Sequence, residues 1–239
     1  MSAAFFTLHD DLPREGPGRA EDVAWALGLG GAMPGARVLD AGCGPGADIS
    51  ALLLAVAPGG HVVAVDAHAP FVHQAERRWG RDSRVTLVTG DMRDVDGPFD
   101  VIWCAGALYF LGLLDGLRVM RDKLRPGGLM CFSEMVVRVP APDADLRAAL
   151  EAEYPAIGDQ TRLKGMIRAA GLDLIGQKIL PRASWEAYFQ PMEKRIAQLR
   201  PTADEDLAAV LDEAEAEIAL WRRYWEQFGY ALSVVRRPE

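Results

Sequence analysis

Three glycines at alternate positions, Gly42, Gly44 and Gly46, follow the short apolar run Val38-Leu39 and precede a second apolar run, Ile49 to Val56. The first run reads as a buried parallel strand and the second suits a helix, so the glycines occupy a strand-to-helix turn. In such a turn no Cβ stands between backbone and ligand, and backbone N–H groups are expected to face it. A tight turn also needs glycine for steric reasons alone, which leaves a purely structural reading open. The pattern Gly42-x-Gly44-x-x-Ala47 fits the nicotinamide dinucleotide fingerprint as well. Only residues further along the chain can separate these readings.

After a Pro58-Gly59-Gly60 turn, His61 to Asp66 reads as a second buried strand ending in an acid, about one βαβ unit beyond the glycines. An acid at that distance can accept hydrogen bonds from a ribose diol. Pro70 to Trp79 reads as a helix, and Val85 to Thr89 as a third strand leading into Gly90-Asp91-Met92. Phe99 to Cys104 is the fourth strand, opening into Ala105-Gly106-Ala107-Leu108-Tyr109. Leu111 to Leu124 makes a helix, and Arg125-Pro126-Gly127-Gly128 turns into a fifth strand, Leu129 to Ser133, closed by Glu134. Strands and helices alternating at these lengths specify a parallel α/β sheet with right-handed crossovers. Ligands in such sheets sit at the carboxyl ends of the strands. Asp40, Asp66, Asp91, the Cys104-Ala105-Gly106 turn and Glu134 all fall there.

These motifs, in order, resemble those of class I S-adenosylmethionine-dependent methyltransferases. The resemblance covers about Arg37 to Ser133 and rests most on the glycine motif together with the Arg125–Gly128 turn. It implies a Rossmann-like α/β fold: a mostly parallel seven-stranded sheet with an antiparallel last strand and a helical insertion before it. It implies S-adenosyl-L-methionine as cofactor, with Asp40, Ala41, Gly42, Cys43, Gly44 and Gly46 facing its amino-acid part. Asp66 and Ala67 would hold the ribose, Asp91 and Met92 would contact adenine, and Cys104, Ala105 and Gly106 would line the methionine end. Tyr109 would lie near the acceptor. No Asn-Pro-Pro-Tyr-like motif follows the fourth strand, which points away from nucleic-base and protein-amide methylation.

At 239 residues and 50% hydrophobic, the chain can bury one substantial core with a modest cap. Residues 1–239 are accordingly expected to form a single methyltransferase domain, with 1–35 an N-terminal arm and helix and 182–228 a helical insertion. A net charge of −8 gives no electrostatic grip on nucleic acid or an anionic membrane. Cys43, Cys104 and Cys131 lack metal-ligand spacing, and their odd count fits a reducing cytoplasm. No metal is expected, no run reaches transmembrane length, and no secretion signal is visible. The expected partner is a small-molecule acceptor, with a homodimer compatible.

Phe5-Phe6 and the Leu12–Gly18 segment precede any regular pattern, and the prolines and glycines of the latter make it a loop. Arg19 to Leu29 has helical spacing. Helices are expected to end near Tyr154 and over Thr161 to Gly171, with a strand from Leu172 to Leu180 and a last one from Tyr230 to Val235. Between those strands, Asp204 to Phe228 carries an apolar stripe that reads as packing, while Trp185, Tyr188 and Phe189 are candidates to roof an acceptor pocket. The N-terminal segments and this insertion look like those of uncharacterised bacterial small-molecule methyltransferases. Glu134, Tyr109 and His9 are the candidate general bases. A binding protein or an enzyme using the same cofactor for other chemistry is the main alternative, and a nicotinamide oxidoreductase the weaker one.

Overall fold

A computed structural model describes residues 2–31 and 33–239. Met1 and Ala32, within the expected arm and helix, lie outside the described residues. The sheet is built on β1 (Arg37–Ala41), β2 (His61–Asp66), β3 (Val85–Thr89), β4 (Phe99–Ala105) and β5 (Leu124–Val137). A two-residue strand, β6 (Gly158–Asp159), pairs with the end of β5, and β7 (Asp173–Ile179) and β8 (Phe228–Arg236) complete the set. The order is β3-β2-β1-β4-β5-β8-β7, parallel through β5, with β8 antiparallel to both its neighbours.

Alternation along the strands feeds two cores. Leu39, Ala41, Val63 and Val65 point to one face, against Leu117 and Met120 of α5 (Leu113–Lys123) and Leu163 and Ile167 of α7 (Gln160–Ala169). Val38, Val62 and Ala64 point to the other, against Val23 and Leu27 of α2 (Ala20–Gly30) and Ile49 and Leu52 of α3 (Ile49–Ala55). The period of two thus makes one continuous apolar run serve both layers. A further helix, α4 (Ala69–Trp79), packs on β2 and β3.

A third core lies off the sheet. It joins α1 (Ala3–His9), α6 (Ala144–Glu153), α8 (Arg182–Leu199) and α9 (Glu205–Tyr224) through Leu8, Leu146, Phe189, Leu211 and Trp221. The insertion between the last two strands therefore forms a helical cap, and the N-terminal arm is part of it.

Four local expectations are corrected. Phe5-Phe6 lies in helix α1 rather than ahead of regular structure, because Ser2 Oγ accepts from Phe5 N–H at 3.2 Å and Leu8 is buried in the cap core. The Leu111–Leu124 helix is split into a 3-10 turn, Leu108–Leu111, and α5, with Gly112 between them at φ 72°. Strand β5 runs past Ser133 to Val137, since β8 pairs with it to its end. Arg125–Gly128 lies within that strand as an irregularity of register, where Gly127 N–H and Gly128 O bond Arg237.

Candidate active site

A cavity of about 560 Å³ opens at the carboxyl ends of β1 to β4 and is roofed by α1, the Leu12–Gly18 loop and the cap. That volume lies in the range of small-molecule sites. Asp40, Gly42, Cys43, Gly44, Asp66, Ala67, Asp91, Met92, Ala105 and Gly106 line it, together with Tyr109 and His9. Ala41, Gly46 and Cys104 do not: Ala41 and Cys104 are 0% exposed in the core, and a Cβ at Gly46 would press on Ile49, Ala75 and Trp79. Glu134 also stands outside the cavity wall, with its Oε1 accepting from Tyr154 Oη at 2.6 Å.

The glycine turn works differently from the amide cradle its spacing suggested. Gly42 and Cys43 N–H both bond Val65 O, at 2.9 and 3.0 Å, and Gly46 N–H bonds Cys43 O at 3.0 Å. Gly44 N–H donates to Asp66 Oδ2 at 2.9 Å. These donors are already used, so the turn contributes close approach instead. Gly44 sits at φ 52°, in the left-handed region, and a Cβ on Gly42 would collide with Ala107.

Carboxylates dominate the electrostatics. Asp40 is 3% exposed and its Oδ2 has no partner. Burial, then repulsion from Asp48 and Asp66, hold its carboxyl well above the usual range. Asp66 accepts from Gly44 N–H and from His68 N–H, the latter at 2.8 Å, leaving each oxygen a second lone pair. Arg93 grips Asp91 through both oxygens, and these bonds lower the Asp91 carboxyl.

Beside the candidate His9, the arm supplies Phe6, Arg14 and Glu15, which its loop-like sequence did not announce. Phe6 stacks on His68 with ring centroids 3.8 Å apart, and His9 Nδ1 lies 2.5 Å from Glu15 Oε2. Arg14 bonds Asp48, whose other oxygen accepts from Trp103 Nε1. Of the aromatic candidates in α8, Trp185 and Tyr188 line the cavity, whereas Phe189 is buried against Trp221. Two acids that the sequence did not single out, Glu153 and Glu217, also line it. Their signal was spacing: Glu217 stands three residues from Ala214 and four from Trp221, on the edge of the buried stripe of α9.

Residues 38–128, from the first strand to the end of the Arg125–Gly128 segment, match the family described as "Methyltransferase domain". Over these residues the chain is similar to methyltransferase domains. The chain is 30% identical over 176 residues to a malonyl-[acyl-carrier protein] O-methyltransferase of Enterobacter lignolyticus, a match covering 72% of this chain and 62% of that one. It is 35% identical over 133 residues to a ubiquinone biosynthesis O-methyltransferase of Xanthomonas campestris, covering 52% of each. The chain thus spans less than two thirds of the length of these curated relatives. Its fold is that of a methyltransferase from Geobacter sulfurreducens solved with S-adenosyl-L-homocysteine: TM-score 0.82 at 21% identity, over 98% of both chains. The methyltransferase domain holds the glycine turn, Asp66 and Asp91 in one unit, whereas nothing beyond Gly42-x-Gly44-x-x-Ala47 supports a nicotinamide site.

Proposed function

We propose that this protein transfers the methyl group of S-adenosyl-L-methionine to a small-molecule acceptor. The observation that carries this reading is the partnerless Asp40 Oδ2, buried beside the glycine turn of a methyltransferase domain. A cationic amino group is what such an oxygen lacks, and the cofactor has one on its amino-acid part. The residues fit the rest of the group as well. Asp66 keeps lone pairs for ribose hydroxyls, Met92 offers an apolar contact to adenine, and the bare backbone at Gly42 and Gly44 allows close approach.

When bound, the cofactor supplies an electrophilic methyl carbon that an acceptor displaces in line. The chain's contribution is to align that acceptor and exclude water. The roof of Phe6, His9, Glu15 and Tyr188 serves exclusion, and the cap end of the cavity serves alignment. Tyr109 is a poor base, because burial and nearby Glu153 push its hydroxyl up to about 12. Glu15 engages His9 at Nδ1, which leaves Nε2 as its basic nitrogen, whereas Glu134 accepts from Tyr154 and stands outside the cavity wall.

The arm, sheet and cap act as one domain over residues 1–239. The cysteines are free and buried, which suits a reducing cytoplasm, and no described helix is long and apolar enough to cross a membrane. Leu174 and Ile175 on the edge strand β7 are among the exposed apolar side chains that a homodimer would use. A thermal-shift panel of S-adenosylhomocysteine, NAD and NADP tests the cofactor: only the first should raise the melting temperature. Methyl-labelled product from a metabolite pool then separates an enzyme from a binding protein.

A further inference from the structure

Beyond the cofactor end, the cavity continues under the cap, where its wall is made by Tyr109, Glu153, Trp185, Tyr188, Glu217 and Tyr230. The chemistry of this wall is one-sided. The cationic side chains lining the cavity are engaged elsewhere: Arg14 with Asp48 and Arg93 with Asp91. Glu217 and Glu153 stand exposed at the cavity wall and make no ion pair or side-chain hydrogen bond among the described residues. Tyr188 is only 8% exposed, yet its hydroxyl also lacks a partner among those residues. Three polar groups without partners and a set of aromatic faces thus converge on the same space.

We infer that the acceptor is a cationic amine on an apolar body, paired with Glu217 and Glu153 and packed against Tyr188, Trp185 and Tyr230. This rests on the methyltransferase reading and narrows it. A carboxylate or phosphate acceptor would be repelled by the two acids, and a neutral phenol would gain no ion pair from them. An ammonium satisfies them with charge-assisted bonds, while the rings offer it their negative faces. Desolvation within the cavity, then repulsion from Glu153, raises the Glu217 carboxyl to about 7 although the side chain is open to the cavity. That places it to take a proton from the bound ammonium: an N–H bond breaks, an O–H bond forms on Glu217, and the nitrogen keeps its lone pair as a neutral nucleophile. Around Glu217 stand Glu153 from α6, Tyr188 from α8, Tyr230 from β8 and Tyr109 beyond β4.

The test is calorimetry on the full chain saturated with S-adenosylhomocysteine, using phenethylamine, 2-phenylethanol and phenylacetate, which share a ring and differ in head-group charge. The amine should bind at least tenfold more tightly than the alcohol, and the acid should give no measurable heat. Glu217→Gln should cut amine affinity tenfold or more while changing S-adenosylhomocysteine affinity less than twofold, with Glu153→Gln showing the same pattern. Wild-type affinity for the amine should fall as pH drops below about 7, where Glu217 takes up a proton, and this loss should vanish in Glu217→Gln. Equal binding of alcohol and amine, preference for the acid, or binding of none of the three by the saturated protein overturns the inference. Failure of S-adenosylhomocysteine itself to bind overturns the methyltransferase reading instead.

Discussion

Asp40 and Glu134 are both nearly closed off from solvent, at 3% exposure each, and differ in what answers their charge. Glu134 has Tyr154, and burial still raises its carboxyl from 4.5 to about 7. Between those pH values the folded state holds a proton that the unfolded chain has released, so stability is lost as pH rises through that window. Glu134→Gln keeps an acceptor for Tyr154 and has no charge to bury. It should be more stable than wild type by about 1–3 kcal/mol at pH 8. The difference should close at pH 4, where both side chains are neutral, and denaturant melts at the two pH values check it. Asp66 is instead the acid proposed to hold the cofactor ribose. Asp66→Ala should weaken S-adenosylhomocysteine binding about tenfold or more, since charged hydrogen bonds are worth about 1.5–3 kcal/mol each. It also removes the acceptor of Gly44 N–H, so Asp66→Asn, which keeps one carbonyl oxygen, should lose less.

At the scale of elements, the arm is anchored by Leu8 and Leu12, 1% and 2% exposed, while Arg14 and Gly18 tie its loop to Asp48 and Ser184. Leu8→Ala should weaken its docking by about 2–4 kcal/mol, the usual loss for a buried leucine. Limited proteolysis should then cut the Leu12–Gly18 loop faster in the variant, with S-adenosylhomocysteine restoring protection; cutting rates equal to wild type would show that Leu8 does not hold the arm. The helix around Leu8 was not legible in the sequence because seven residues carry too little periodicity, and its partners are supplied by α8 and α9. The sheet was legible for the opposite reason: runs such as Val62 to Val65 are apolar throughout, as strands buried on both faces must be. The split of the Leu108–Lys123 segment turns on the left-handed Gly112, which helical spacing alone does not reveal.

For the whole molecule, the sheet supplies a cavity floor that could be read in order along the chain, and arm and cap supply a roof that could not. Asp40, Asp66 and Asp91 stand at strand ends, where position along a motif also gives position in space. Glu153 and Glu217 come together only because α6 and α9 fold over the same opening, from segments distant in sequence. The central claim is that this opening takes S-adenosylmethionine against the bare backbone of the glycine turn. Titration calorimetry with S-adenosylhomocysteine on wild type and Gly44→Val tests it most directly. A valine there meets a left-handed φ of 52° and sets its Cβ 3.3 Å from Glu15 Cγ, at the cavity wall. The account predicts one binding site in the wild type, no heat with NAD, and loss of binding in the folded variant. A folded Gly44→Val that binds S-adenosylhomocysteine as tightly as wild type, or a wild type that binds NAD in its place, would contradict it.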